Sequence, residues 1–328
     1  MPKFCRHNRL LQNCPICSRE QAIELRPILS SSAPRVGEPR QRAARPASRD
    51  SGRRMPTTAG LVVRRAGNRV DDGYRSGLVP GVRSSEEAAR LAEEVAFAAE
   101  RLRRLSEDPP GLYSIVADGD VDIEERTWLA FLIAYLYPLD HGDPFAAIAA
   151  LRTSWSSGED PGLDGVETGP RAAYDPSRGV GTLDAYRAWA SRAGSQAAAF
   201  NGDAAWSAER RFDRAFERLA LPGMQRDARY ELLVSLGTLG AYDLRAGTLK
   251  LGGSDLVTVA AKRALAIGDP LLLERRAGQL AEACSVPLGA LDLALYNWET
   301  ERRTTGGLGE EAAPTPAELA PVRDALGL

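Results

Sequence analysis

Residues 221–226 read Leu-Pro-Gly-Met-Gln-Arg and separate two runs whose apolar residues recur at helical spacing. Proline and glycine stop a helix and permit a tight turn, so this segment predicts a helix end followed by a turn. A helix over 228–237 is expected next, before a second turn-rich segment, Leu-Lys-Leu-Gly-Gly-Ser-Asp, at 249–255. Asp255 closes that segment just before another apolar run, 256–267, and Asp is a favoured N-cap. The stretch predicts two helices, each introduced by a turn.

Outward from that stretch, apolar residues also recur at helical spacing in much of the chain between residues 84 and 303. The run 128–136 is so apolar that a helix there must be buried nearly all round. Ser84 precedes acidic residues and predicts the start of an amphipathic helix that ends near Leu105. Further helices are expected at 143–151, 182–200, 207–219, 270–284 and 287–303. No segment alternates with period two for long, so we expect an all-α body with very little strand.

The N-terminus concentrates metal-binding residue types. Cys5, His7, Cys14 and Cys17 include three of the four cysteines and one of the two histidines. Four nitrogen and sulfur ligands suit tetrahedral Zn²⁺ and leave no position for water, so the predicted zinc site is structural rather than hydrolytic. So short a segment cannot bury a core, and metal binding would supply its folding free energy. A redox cysteine pair beside an unrelated histidine is the less favoured interpretation.

The charge is unevenly distributed along the chain. Residues 1–70 contain 15 Lys/Arg and 4 Asp/Glu, a balance of +11, which leaves −13 for the remainder of a chain whose net charge is −2. A basic arm on an acidic body indicates a nucleic-acid or anionic partner, although a disordered arm kept soluble by arginines is an equal alternative. No run of eighteen apolar residues and no signal-peptide core occur, so we expect no membrane partner and a cytoplasmic protein.

These patterns divide the chain into four parts. They are a zinc-binding knuckle (1–20), a basic flexible linker (21–70), a helical domain (71–303) and a C-terminal tail (304–328). A loop rich in Gly, Ser, Asp and Pro at 154–181 is expected as an insertion in the helical domain. The chain lacks a Gly-x-x-x-x-Gly-Lys-Ser/Thr loop and a Gly-x-Ser-x-Gly elbow, which excludes ATP-hydrolysing engines and α/β-type hydrolases.

The order of helix end, Leu221-Pro222-Gly223 turn, helix and lone Asp255 resembles the helix-hairpin-helix DNA glycosylase superfamily. In that superfamily the hairpin grips a phosphate and the Asp faces the sugar of a flipped nucleotide. The resemblance implies a glycosylase-like helical body that binds DNA and extrudes the base before it reacts. Gln225 stands in place of the second glycine of the hairpin, and Asp227 in place of the lysine of bifunctional members. A carboxylate cannot form a Schiff base, so strand-nicking lyase chemistry at that position is not expected.

Within the broad group of proteins around that superfamily, the helical domain is similar to the alpha-glutamyl/putrescinyl thymine pyrophosphorylase family. This family is associated with thymine hypermodification in phage DNA. The segments that carry this similarity are 128–136, 211–214, 260–263 and 291–298. The family's implied chemistry replaces a pyrophosphate on a 5-hydroxymethyl pyrimidine by an amine.

The resemblance also implies roles for individual residues. Asp255 would stabilise the positive charge that builds on the sugar and orient water, while Asp140 and His141 would meet the extruded base. DNA contacts are expected from five residues: Gly223, Gln225, Arg226, Lys262 and Arg263. Plainer interpretations are that Asp255 is an N-cap, that His141 is a solvated loop residue, and that Lys262 and Arg263 form a solvated helix face.

The sequence thus predicts an enzyme that acts on a 5-substituted pyrimidine in DNA, by base excision or by exchange of the 5-substituent. One alternative is a non-catalytic reader of modified or damaged DNA. Another is an interaction protein that recruits a partner through the zinc knuckle, which the acidic body favours because such a charge is unusual for a DNA clamp. Structural Zn²⁺ is the one cofactor expected.

Overall fold

The computed structural model describes residues 71–309 and 313–328, and their regular structure is helical throughout. The twelve α-helices of these residues are α1 (Ser85–Glu107), α2 (Leu112–Ala117), α3 (Ile123–Leu136), α4 (Ala146–Leu151), α5 (Gly181–Ala193), α6 (Gln196–Asn201), α7 (Ala208–Arg218), α8 (Arg226–Thr238), α9 (Leu256–Leu265), α10 (Pro270–Ala283), α11 (Ala290–Thr300) and α12 (Pro316–Leu326). No β-strand occurs in these ranges, which confirms the predicted all-α class.

Side-chain caps set the starts of several helices where the sequence predicts them. The Ser84 hydroxyl accepts a hydrogen bond from the third residue of α1, and Ser207 does the same for α7. Asp122 and Asp255 cap α3 and α9 through their carboxylates. Each cap satisfies an amide that the helix itself leaves without a partner.

Helix α3 lies in the core because it has no polar face. Its last eleven residues, 126–136, are all buried. The ring of Phe131 stacks on Tyr186 of α5 with centroids 3.9 Å apart, and Trp128 stacks on Phe131 at 5.4 Å. Helix α11 is also buried over residues 290–298 and packs against α1 and α9.

The predicted single helix over 182–200 is two helices. Gly194 ends α5 with a φ of +95°, a conformation that glycine adopts without steric cost. The hydroxyl of Ser195 then accepts a hydrogen bond from the Ala198 amide at 3.0 Å and starts α6. Thr182, the first residue of the predicted helix, is a buried residue within α5.

The segment after Arg303, which the sequence predicts as a tail, is packed against the domain. Residues 304–307 are buried. The Thr304 amide donates to Asn297 Oδ1 at 3.1 Å, and Arg101 Nε donates to the Gly306 carbonyl at 3.0 Å. Helix α12 then packs on α1. The Thr-Thr-Gly-Gly composition carries no periodicity that would have indicated this burial.

The loop 154–181 is tied to the C-terminal end of α3. The Gly169 amide donates to the Leu136 carbonyl at 3.0 Å, and the Ala173 amide donates to the Tyr135 carbonyl at 2.9 Å. These bonds place Arg171, which lies between them in sequence, in the interior of the domain.

We expect Gly169→Ala to detach this loop and destabilise the fold. A Cβ at position 169 would lie 2.0 Å from the Pro138 carbonyl oxygen, so backbone must move. Overpacking of this kind costs about 1–3 kcal/mol. Urea denaturation measures the change, and Gly162→Ala in the same loop is the matched control because nothing lies within 4 Å of its added Cβ. Equal stability of the two variants would contradict the prediction.

Candidate functional site

Three arginines and three acids meet where the loop 154–181, the start of α8 and the middle of α11 come together. We call this set the arginine–acid cluster; its members are Arg101, Arg171, Arg226, Asp227, Glu231 and Asp292. Buried charges are tolerated only when they are paired and hydrogen-bonded, so the equal number of arginines and acids makes the cluster compatible with the interior.

Asp292 of α11 is the centre of the cluster. Its two carboxylate oxygens bind different arginines: Oδ2 accepts from Arg171 at 2.5 Å, and Oδ1 accepts from Arg226. Burial alone would raise the pKa of Asp292, but the two guanidinium groups outweigh it and hold that pKa below its usual range. Asp292 therefore stays ionised in the interior.

Both arginines also lie against aromatic rings. The Arg171 guanidinium is 4.8 Å from the ring centroid of Tyr296, and that of Arg226 is 4.6 Å from Tyr230. Arg226 donates in addition to the Leu249 carbonyl, which joins the start of α8 to the segment before α9. These contacts fix the orientation of the guanidinium planes.

The inner side of the cluster is a buried ion pair between α1 and α8. Arg101 Nη2 lies 2.5 Å from Glu231 Oε1 and 3.0 Å from the hydroxyl of Tyr113. Burial raises the pKa of Tyr113 to about 12, so its hydroxyl remains protonated at neutral pH. This side of the cluster is structural.

Asp227 differs from the other two acids because its side chain is 19% exposed, whereas Glu231 and Asp292 are buried. Its Oδ1 lies 3.0 Å from Arg226 Nη1. Burial raises the pKa of Asp227, and with the charge of Asp292 it outweighs the opposing effect of Arg171 and Arg226. A carboxyl with a raised pKa that solvent can reach is able to exchange a proton at milder pH than an ordinary aspartate.

Asp140 lies in the same neighbourhood as Asp227. Burial raises the pKa of the Tyr296 hydroxyl, Arg171 opposes it, and the charges of both Asp227 and Asp140 raise it further. Asp140 is held from the C-terminal segment, since its Oδ1 accepts from the Thr304 hydroxyl at 2.7 Å and from the Thr305 amide at 3.0 Å. These contacts fix the position of Asp140, and none of them is to a member of the arginine–acid cluster.

His141, the neighbour of Asp140, is largely exposed. Its Nε2 lies 3.3 Å from the carboxylate of Glu167, itself a surface residue. The contact tethers the loop after α3 to the loop 154–181 at the surface.

The predicted DNA-contacting residues Gly223, Gln225 and Arg226 lie where a turn at 221–224 leads into α8. The Met224 amide donates to the Leu221 carbonyl at 3.0 Å, and Gly223 has a φ of +85°. A Cβ on Gly223 would lie 2.1 Å from Thr182 Oγ1, which explains the glycine. Gln225 is exposed at the N-cap position of α8 and makes no side-chain cap bond. Arg226 points inward to the cluster.

Asp255 and Arg263 have roles within the fold. Asp255 Oδ1 accepts from the Thr258 amide at 2.9 Å and Oδ2 from the Thr258 hydroxyl at 2.8 Å, so the carboxylate caps α9. The Arg263 guanidinium is 3.6 Å from the ring centroid of Trp298 and pairs with acids of α1 and α11. Lys262 is partly buried. None of the contacts of Asp255 described above joins it to the cluster.

Sequence reasoning missed most of the cluster. Arg171 is the one basic residue between positions 153 and 177, and Asp292 stands within Leu-Asp-Leu-Ala-Leu. A charge inside an apolar helix, or a lone arginine in an otherwise uncharged turn, signals a buried partner. Neither pattern says which partner, because the paired residues lie far apart in the chain.

No metal centre is formed by the described residues: within 71–309 and 313–328 no three His, Cys, Asp or Glu side chains meet in a group that would hold an ion. The predicted zinc ligands Cys5, His7, Cys14 and Cys17 lie outside these residues, as do the knuckle and the linker.

No known family model, curated protein or solved structure matches the chain. None of the helices in the described part of the chain combines the length and hydrophobicity needed to cross a bilayer.

We expect Asp292→Asn to destabilise the fold by about 3–5 kcal/mol, because it leaves two buried guanidinium groups without their shared carboxylate. Asp243→Asn is the matched control: Asp243 also pairs with an arginine, Arg211, but its side chain is 74% exposed. Removing such a surface pair costs at most about 1 kcal/mol. Chemical denaturation of both variants tests the difference, and similar losses would contradict it.

Asp227→Asn should change the pH dependence of stability. An unfolded aspartate titrates near pH 3.9. Because the folded pKa of Asp227 is higher, the folded state binds the proton more tightly, and this contribution is lost as pH rises through the folded pKa. The variant lacks that loss. Its stability relative to the wild type should therefore increase as pH rises from about 4 through the folded pKa of Asp227. Urea denaturation measures this difference, and a constant or falling difference would refute the assignment.

Proposed function

We propose that the protein acts on a 5-substituted pyrimidine in DNA after the base has been extruded from the duplex. The reaction is either excision of the base or exchange of its 5-substituent. The observation that supports this best is Asp227: a partly exposed carboxyl of raised pKa that follows the segment 221–225 and lies 3.0 Å from the guanidinium of Arg226.

Asp227 is the proposed proton donor and acceptor. In excision, the bond between sugar and base breaks with its electron pair moving to the base, so positive charge develops on the sugar and negative charge on the base. A carboxyl group of raised pKa serves such a step by protonating the departing base, or by taking a proton from the water that bonds to the sugar carbon as the base leaves. In substituent exchange, the same carboxyl deprotonates the attacking amine while pyrophosphate leaves.

The fixed charges of Arg171 and Arg226 support the same step. Both guanidinium groups are held by Asp292 and by aromatic rings before any substrate arrives. Oriented charges of this kind stabilise a developing anion without reorganising, and burial strengthens their effect. Asp140, positioned by residues 304–305, is the proposed contact to the base edge, with His141 at the outer side of that loop.

Phosphate binding is proposed for the turn before α8. The start of this thirteen-residue helix has no side-chain cap, and Gln225 is exposed there. Backbone amides at a helix start favour an anion such as a DNA phosphate. The charge of +11 in residues 1–70 would add a sequence-independent attraction to the phosphate backbone. Cys5, His7, Cys14 and Cys17 would hold a structural Zn²⁺ that supplies folding free energy to the N-terminal segment.

A non-catalytic reader of modified DNA is the second candidate. It is favoured by the pairing of the acids, since each carboxylate of the cluster is paired with a cluster arginine. A cluster of this kind would keep the base-binding surface rigid without performing a reaction.

The test is incubation of the full-length protein with duplexes that contain thymine, a 5-hydroxymethyl pyrimidine or its glycosylated form. Mass spectrometry then detects released bases and altered nucleosides. We expect Asp227→Asn to lower turnover by about 100-fold or more, the usual contribution of a positioned acid or base, with DNA affinity unchanged.

Asp255→Asn is the matched control, because asparagine also caps helices and preserves the start of α9. Loss of turnover in this variant alone would return the catalytic role to Asp255. Binding of DNA without any product from the wild type would favour the reader, and absence of DNA binding would refute both proposals.

A further inference from the structure

A cavity of about 550 Å³ lies between α1, α12 and the turn that joins α10 to α11. Its walls are apolar where they are formed by Leu102, Val286, Pro287 and Val322. Small-molecule sites usually have volumes of about 300–1,000 Å³ and mostly apolar walls with a few polar groups. The cavity therefore has the size and the lining of a ligand site.

The cavity lies on the other side of α1 from the arginine–acid cluster. The residues of α1 that line it, among them Ala96, Ala99, Arg103 and Ser106, recur at intervals of three or four and so share one helix face. Arg101, which belongs to the cluster, lies on the opposite face of the same helix because α-helices have 3.6 residues per turn. A ligand in the cavity would not enter the cluster.

The C-terminal ends of three helices meet at the cavity. Glu107 is the last residue of α1, Thr238 is the last residue of α8, and Cys284 and Ser285 follow α10; all four line the cavity. A helix C-terminus carries a partial negative charge of about half an elementary charge and attracts cations. No basic residue stands in the last turn of α8 or of α10 to offset that charge.

Carboxylates add to the negative charge at the cavity. Glu100, Glu107 and Glu318 line it, and Arg103 is the one basic residue among its described lining residues. Arg103 pairs with Glu100 at 2.6 Å and with Glu107, and Arg104 pairs with Glu100 at 2.7 Å, so three carboxylates stand against two guanidinium groups. The positive end of α12 also lies here, but Glu318 caps it. The side chains and the helix ends thus favour a positively charged occupant.

We propose that this cavity binds an organic cation whose apolar body packs against the aliphatic walls and whose charged group faces the helix ends and the carboxylates. Burial of the apolar body removes its surface from water, and the charged group finds complementary potential. A ligand of the same body with a carboxylate would be repelled. A bare metal ion would lose its hydration against apolar walls. This inference goes beyond the proposed function and does not depend on it.

The experiment is isothermal titration calorimetry of the full-length protein with three probes that share an eight-carbon chain: octyltrimethylammonium, 1-octanol and octanoate, each below the concentration at which it aggregates. We expect octyltrimethylammonium to bind about tenfold or more tightly than octanoate, because the fixed charges attract one and repel the other. Octyltrimethylammonium should also raise the midpoint of thermal unfolding, since it binds the folded state. Equal binding of octanoate and octyltrimethylammonium would overturn the proposal, and so would absence of binding by octyltrimethylammonium.

Ser106→Lys locates the site, because it adds a positive charge at an exposed lining position of α1. It should weaken octyltrimethylammonium binding by about fivefold or more and strengthen octanoate binding, as charge repulsion and attraction near a protein surface require. Ser191→Lys is the matched control: it makes the same change at an exposed serine of α5 that does not line the cavity. Thermal unfolding of both variants without ligand verifies that they fold. If the two variants bind octyltrimethylammonium equally, the cation binds elsewhere and the assignment to this cavity is wrong.

Discussion

The shared carboxylate of Asp292 is the interaction on which the rest of the interior depends. Two guanidinium groups from distant parts of the chain, Arg171 and Arg226, can be buried only because this one ionised acid binds both. Their burial in turn requires the loop 154–181 to close over α3 and the start of α8 to face α11. A hydrophobic core alone would not specify those positions, because apolar contacts are not directional. The ion pairs specify these positions, because each requires a particular pair of side chains to meet.

The acids of the arginine–acid cluster differ in their exposure to solvent. Glu231 and Asp292 are enclosed, and two arginines hold the pKa of Asp292 low, while Asp227 is partly exposed and its pKa is raised by burial and by the charge of Asp292. Environments that move the pKa values of adjacent carboxyls apart are the usual basis for assigning acid and base roles. The proposed chemistry follows from this difference in exposure. The proposed chemistry does not require Asp255, because its carboxylate caps α9.

Local features of the fold could be predicted from sequence because their causes are local. The caps at Ser84, Asp122 and Asp255 and the buried α3 follow from residues within one or two helical turns of each other. The cluster could not be predicted in this way. Arg171 and Asp292 are 121 residues apart, and Arg101 and Glu231 are 130 apart, so no spacing rule connects them. The burial of residues 304–307 could not be predicted either, because partners such as Arg101 lie far away in the chain.

The contact between Arg101 and the Gly306 carbonyl spans 205 residues and has a consequence for biosynthesis. Chains are made from the N-terminus, and early segments begin to fold while later ones are still being translated. Arg101 lies on α1, and one of its buried partners, Gly306, is made 205 residues later. The hydrogen bonds that hold Asp140 also cannot form before Thr304 and Thr305 have been made. The contacts of the interior charge network are therefore complete only after residues 304–306 have been made, so a ribosome-bound chain that stops short of this segment carries an incomplete site.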